Sequence, residues 1–256
     1  IPIVPDIIIS CGRKSVYLSI YLKRKYKKTI TIHIQDPKVN FKNFNYIIAP
    51  EHDKIIGNNI INSIGALHQF NYDVLNNVSE KKFSIPKKNL LSVIIGGSNN
   101  HYNFSLKEVD SLIVNIKKIK KINKKYNILI IFSRRTTNET KVLIKQKLNN
   151  EVILLNTNQE NPYTFSLKYS DYFIITSDST SMISECSFTG KPIYVFHLPF
   201  KRRSKRIERF HKRFLELNIT KDLNLINGLS SWTYSHLNES KRISGIIKER
   251  IIKEYW

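Results

Sequence analysis

The stretch DYFIITSDSTSMISECSFTGKPIYVF (171–196) reads as strand, polar turn, helix and strand in succession. Its first apolar run, 171–176, is strand-sized. Ser177, Asp178, Ser179, Thr180 and Ser181 then crowd hydroxyls and a carboxylate at the start of a helix, and Asp178 or Ser179 can cap it. Gly190 ahead of Lys191 and Pro192 ends that helix, and a second apolar run fills 192–196. Strand, helix and strand in this order make a βα unit of a parallel sheet.

The same alternation continues outward on both sides. Upstream, strands are expected at 90–95 and 127–132, each followed by a helix. Ser105 with Glu108 predicts a capping box for the first helix, and Thr136 with Glu139 predicts one for the second. A strand at 151–155 and a short helix at 161–169 lead into the opening stretch. Farther upstream, strands at 6–10, 29–34, 46–49 and 60–64 and a helix from about 14 to 26 form an earlier series. Between the two series, NNVSEKKFSIPKKN (76–89) has no period and reads as a linker. Downstream, 200–217 and 235–254 read as closing helices. The fold class expected is α/β, with two Rossmann-like domains whose parallel sheets face a cleft: an acceptor domain over 1–80, a nucleotide domain over 88–234 and a C-terminal helix over 235–256.

The chain has 256 residues, 41% of them hydrophobic and 11% aromatic, which suits a folded globular protein of one large or two small domains. Its apolar runs are far shorter than the roughly 18 residues a membrane-spanning helix needs. Two cysteines, Cys11 and Cys186, are too few for a disulfide framework or a four-ligand zinc site and suit a reducing cytoplasm. The chain begins with Ile1, and Met182 is its single methionine. No glycine-rich turn precedes the strand at 6–10, so the first domain is expected to be truncated. IPIVPDIIIS also lacks the basic start and cleavage site of a secretory signal. Lys and Arg number 42 against 20 Asp and Glu, a net charge of +22. Such a field attracts phosphates, nucleic acid and anionic lipid. AT-rich codon usage, which enriches Lys, Asn and Ile together, accounts for the excess equally well.

In open parallel sheets ligands sit at the carboxyl ends of the strands, so the loops leaving those ends hold the candidates. Gly96 and Gly97 follow a strand and let backbone amides approach a diphosphate; a tight turn alone would use them too. Ser133, Arg134 and Arg135 precede a helix N-terminus, where an arginine pair can clamp phosphate or lie solvated. Glu185, one turn inside its helix, is placed to accept hydrogen bonds from a ribose diol, or to form a surface ion pair. No D-x-D pair, H-E-x-x-H or C-x-x-C is present, so no metal site and no cofactor are expected.

These residues bear a resemblance. The S-x-S-x-x-S-E…G-K-P pattern resembles the donor-binding loop of GT-B glycosyltransferases, in which a glutamate of this helix holds the donor ribose. CGRKS (11–15), HIQDP (33–37), APEHD (49–53), NSIGALH (62–68), IGG (95–97), SRRT (133–136), NPY (161–163) and SDSTSMISE (177–185) together resemble the mitochondrial-fission, elongated-mitochondria family. Its bacterial members are glycosyltransferase-like. The resemblance implies donor contacts at Gly96, Gly97, Ser133, Arg134, Arg135, Asn161, Tyr163, Ser177, Asp178, Ser179, Ser181 and Glu185. It also marks Arg13, Ser15, Asp36, Gly65 and His68 on the acceptor side.

In the same set, His52 stands between Glu51 and Asp53, which can fix its tautomer and make it a stronger base for an acceptor hydroxyl. A hydrogen-bonded structural histidine is the alternative. GT-B enzymes stabilise the leaving diphosphate with helix N-termini and basic side chains. Last, FKRRSKRIERFHKRFLEL (200–217) packs eight Lys and Arg into 201–213 around Ile207, Phe210, Phe214 and Leu217 at helical spacing. This segment could lie on an anionic inner leaflet, place Arg202 or Arg203 near the diphosphate, or form a solvated face. The function expected is transfer of a sugar from a nucleotide-diphosphate sugar to a lipid-linked or envelope acceptor, in the cytoplasm or at the inner membrane face. A non-hydrolysing nucleotide-sugar 2-epimerase and a non-catalytic membrane-recruitment factor are the alternatives. Nucleic acid is disfavoured, because the basic residues do not interleave with stacking aromatics.

Overall fold

The computed structural model describes residues 4–79, 82–155 and 160–255. They divide into two compact units, residues 1–67 with 238–256 and residues 68–237. The first unit is built on four parallel strands in sequential order: β1 (Ile7–Cys11), β2 (Ile30–Ile34), β3 (Tyr46–Pro50) and β4 (Ile60–Ser63). Successive side chains of a strand point to opposite faces. Ile47 and Ala49 therefore pack with Val16 and Ile20 of α1 (Val16–Lys25), while Tyr46 and Ile48 pack on the other face.

The second unit holds β5 (Leu90–Ile95), β6 (Asn127–Phe132), β7 (Ile153–Leu154), β8 (Tyr172–Thr176), β9 (Ile193–Phe196) and β10 (Thr220–Asp222). All six are parallel, in the order β10-β9-β8-β5-β6-β7. Its helices are α2 (Tyr72–Asn76), α3 (Leu106–Ile122), α4 (Asn138–Leu148), α5 (Tyr163–Tyr169), α6 (Thr180–Ser187) and α7 (Lys205–Glu216). Every residue of β5 is buried, as expected of a parallel strand covered on both faces. Leu91, Val93 and Ile95 meet Leu112, Ile113 and Ile116 of α3 in the largest core. Each such side chain contributes about 1.5–3 kcal/mol by leaving water.

The chain then returns. α8 (Glu239–Tyr255) belongs to the first unit, where Ile243 joins Ile30, Ile32, Tyr46, Ile48 and Ile61. Buried Glu239 accepts from the Ile64 amide at 2.6 Å and pairs with Arg242, whose Nη2 also donates to the Asn62 carbonyl at 2.8 Å. Among the described residues no helix is long and apolar enough to cross a membrane.

Several expectations need correction. The division falls at 67/68, so residues 68–79 go with the second unit and α8 closes the first instead of standing apart. Residues 80 and 81, where the expected first domain ends inside the expected linker, lie outside the described residues. Ser105 and Glu108 do form their capping box. Helix α4, however, is capped by Thr137, which accepts from the Thr140 amide. Thr136 instead donates to the Ile95 and Gly96 carbonyls at 2.7 and 2.8 Å. The basic helix starts at Lys205, because Phe200 is held in a bridge with Tyr102.

Candidate functional site

From β5 the second sheet grows one way through β6 and β7 and the other way through β8, β9 and β10. The strand order therefore reverses between β5 and β8, and in open parallel sheets the ligand crevice lies outside the carboxyl ends at such a switch point. β5 ends at Gly96 and Gly97, and β8 ends at Ser177 to Ser181. Of the residues singled out in the sequence for donor contacts, Gly96, Gly97, Arg135 and Asp178 meet here.

Asp178 is the hub, its carboxylate fully buried. Oδ2 accepts from Arg135 Nη2 at 2.6 Å and from the Gly97 amide at 3.2 Å. Oδ1 accepts from the Thr176 hydroxyl at 2.6 Å, and that hydroxyl accepts from the Gly96 amide at 2.8 Å. A buried carboxylate needs such a set, because its desolvation is offset only by a cation and several donors together. Asn99 adds a brace: its Nδ2 donates to the Asp178 carbonyl at 3.1 Å, and its Oδ1 accepts from the His101 and Tyr102 amides.

The lattice explains both glycines. A Cβ on Gly96 would stand 2.1 Å from Asp178 Oδ1, and one on Gly97 would stand 2.1 Å from the Arg135 carbonyl oxygen. The two amides expected to face a diphosphate have partners within the protein, Thr176 and Asp178, so the loop's shape is fixed by these contacts.

Ser179 caps α6, its hydroxyl accepting from the Met182 amide, while exposed Ser181 lies in the first turn. The amides of that turn have no intrahelical acceptor and carry the positive end of the helix dipole. Ser177 is turned inward: its hydroxyl accepts from the Leu198 amide at 2.9 Å, and His211 Nε2 donates to its carbonyl at 3.1 Å. Across the next strand end, the Ser133 hydroxyl accepts from the Arg135 amide at 3.1 Å, and Arg134 is exposed.

One turn along α6, Glu185 accepts a short hydrogen bond from the Tyr163 hydroxyl of α5. Asn161 Oδ1 accepts from the Tyr163 amide at 3.0 Å and fixes the turn into that helix. Burial pushes the Glu185 carboxyl up, against the lowering effect of the Tyr163 hydrogen bond. Burial also pushes the Tyr163 phenol far up, so it stays a donor.

The remaining candidates fall in two places. His68 belongs to the second unit, not to an acceptor domain, and its ring packs against Phe70 and Phe188. Burial lowers its pKa. In the first unit, His52 is buried in the turn Glu51–Asp53, its Nε2 3.9 Å from Asp53 Oδ1. Glu51 instead lies in the field of Arg242. Burial raises the Asp36 carboxyl, but the Lys38 hydrogen bonds and the charges of Lys38 and Arg13 bring it below the usual range. Ser15 donates to the Cys11 and Gly12 carbonyls, and Gly65 takes a φ of +77°, which favours glycine. Sequence reasoning missed Thr176, Asn99 and His211. Asn99 and His211 reach Asp178 and Ser177 only through folding, 79 and 34 residues away along the chain, whereas Thr176 stands two residues from Asp178 inside an apolar strand run.

The comparisons bear on the family and the fold. An uncharacterised protein of Rickettsia prowazekii, RP120, is 31% identical over 284 residues, covering 95% of this chain and 79% of that protein. The Arabidopsis thaliana mitochondrial fission protein ELM1 is 26% identical over 288 residues, covering 98% of this chain and 65% of its own length. The present chain thus spans about two thirds of the plant relative. Among solved structures, the UDP-GlcNAc 2-epimerase of Methanocaldococcus jannaschii superposes with a TM-score of 0.54 at 15% identity, over 96% of this chain and 77% of that one. The same epimerase has been solved in complex with UDP-GlcNAc and UDP. That likeness carries the fold, which is GT-B-like with parallel α/β sheets. The family model described as "Mitochondrial fission ELM1" matches residues 2–251, and the chain belongs to that family.

Proposed function

We propose that the chain binds a nucleoside-diphosphate sugar at the β5/β8 switch point and transfers the sugar to a lipid-linked or envelope acceptor. The observation that supports this reading is the Asp178 lattice, which ties together the loops around the N-terminus of α6, the end of a helix suited to an anion. The amides of the cap Ser179 and of Ser181 in the first turn take the diphosphate, with Arg134 and the remaining donors of Arg135 around it. Glu185, oriented by Tyr163, accepts from the ribose diol. Charge developing on the leaving diphosphate is stabilised by the helix end and these cations. On the acceptor side His52, beside Asp53 and with Glu51 in the same turn, serves as general base, while Arg13, Ser15, Asp36 and Gly65 shape that surface. Support also comes from the epimerase of the same fold that binds UDP-GlcNAc and UDP.

The test is thermal unfolding with a panel of nucleoside diphosphates and their sugars, on the wild type and on Glu185→Ala. A ligand that binds only the folded state raises the midpoint by mass action. The expected result is a rise selective for one nucleotide and lost in the variant. No rise with any nucleotide on the folded chain overturns the reading in favour of a recruitment factor. Conversion of the sugar nucleotide to its epimer without an acceptor overturns the transfer step in favour of epimerisation.

A further inference from the structure

The amphipathic pattern of 200–217 invites a helix lying with its apolar stripe in a membrane, and the structure rules that arrangement out. Ile207, Phe210 and Phe214 are buried in the protein, Phe210 at 1% exposure. What α7 turns outward is charge. Lys205, Arg206 and Lys212 are exposed, and Lys201, Arg202 and Arg203 lead into them. In the sequence the acids of 201–216 are Glu208, which pairs with Arg203, and Glu216, within 4.0 Å of Lys212 and Arg213. Eight Lys and Arg in 201–213 therefore keep a large positive excess on one face.

The face does not end at the helix. Beside it lies a cavity of about 420 Å³ whose lining includes Lys212 and Lys221, one carboxylate, Asp222, and the leucines Leu215 and Leu225. Half-buried Lys221 holds its ammonium 4.2 Å from the centre of the Trp232 ring, with Asp222 beside it, so the positive surface is that of α7 itself. Leu215 is 58% exposed and Leu225 84%, large aliphatics left in water at the rim of a cationic surface. Burying them would recover the free energy that water exacts from apolar area.

We infer that the outward face of α7, with the Lys221 cavity and the leucine pair Leu215 and Leu225, is a docking surface for an anionic lipid bilayer. The cations meet lipid phosphates and carboxylates, and the two leucines enter the acyl boundary. Charge complementarity alone fits a nucleic acid as well, but a nucleic-acid surface offers bases to stack on. Here the apolar residues at the cavity rim are aliphatic, and the ring of Phe200, 39% exposed, already has one face stacked on Tyr102 with centroids 4.7 Å apart. The inference does not depend on the donor-site reading, and no nucleotide enters its test.

The experiment is co-sedimentation of the chain with vesicles of phosphatidylcholine alone and of phosphatidylcholine mixed equally with phosphatidylserine. Binding is expected only to the anionic vesicles, and it should fall steeply with salt as the field is screened. Lys205→Ala and Lys212→Ala should each weaken it about fivefold, the effect of one cation near an anionic surface. Leu215→Ser with Leu225→Ser should weaken it and leave the salt dependence in place. Lys121→Ala with Lys124→Ala, the same charge loss as Lys205→Ala and Lys212→Ala combined but on another exposed segment, should leave binding unchanged. Unaltered thermal midpoints will show that each variant is folded. An equal loss in the Lys121 and Lys124 variant overturns the inference, because attraction would then be diffuse. Equal binding to neutral vesicles, or retention by nucleic acid with none by vesicles, overturns it too.

Discussion

At the scale of single residues the switch point is governed by contact distance. The sequence pointed to Gly96, Gly97, Arg135, Asp178 and Glu185, and the structure brings the first four into one hydrogen-bonded set. What the sequence could not show is the direction of each bond. The glycines read as room for a ligand's phosphates, yet their missing side chains make room for Asp178 and the Arg135 backbone. A methyl at Gly97 would meet a main-chain oxygen, which cannot swing aside like a side chain. Gly97→Ala should therefore destabilise the second unit by about 1–3 kcal/mol, the usual cost of overpacking. Urea unfolding will measure it, and a variant as stable as the wild type would show that the loop can shift.

At the scale of elements the strands were the most legible, since runs such as NILIIF need burial on both faces. The exceptions have physical causes. β10 is the polar triplet Thr220–Asp222, ordered by pairing with β9 and invisible to any apolar pattern. At α4 adjacent threonines compete, and Thr136 loses the cap because strand-end carbonyls claim its hydroxyl. The assignment of α8 was illegible for a different reason: a helix pattern shows which stripe is apolar but not which sheet will cover it. That packing can be tested through Ile243, which is 1% exposed. Ile243→Ala should cost about 2–5 kcal/mol. Hydrogen exchange should then quicken in β2 and β3 while β5 and β6 keep their protection; uniform loss would contradict the division into two units.

For the whole molecule the buried titratable groups set a pH profile. Burial lowers the Lys191 ammonium from 10.5 to about 8. Between those values the unfolded chain holds the proton that the folded chain has released, so stability climbs with pH. Burial raises the Tyr102 and Tyr126 phenols to about 12. Above pH 10 the folded state keeps protons that unfolded tyrosines lose, and stability falls again. On the acid side burial lowers His33 and His68. Below pH 6.5 the unfolded histidines take up protons first, and stability drops. The urea midpoint should accordingly peak near pH 10. Lys191→Met should reduce the climb without abolishing it, because discharge of the +22 field acts in the same direction. An unchanged climb in that variant would remove Lys191 from the account. The first unit, meanwhile, is made from segments on either side of the second, and that imposes an order on its birth at the ribosome. Its four strands emerge before residues 68–237, but the helix that covers Ile30, Ile32, Ile48 and Ile61 is translated only after them. At about 5–20 residues per second, residues 68–237 occupy roughly 10–30 s, during which that isoleucine face waits for its cover. A nascent chain in this state is a natural client for a holdase chaperone. A stop codon in place of Asn238 yields a polypeptide whose second unit is whole and whose first never closes.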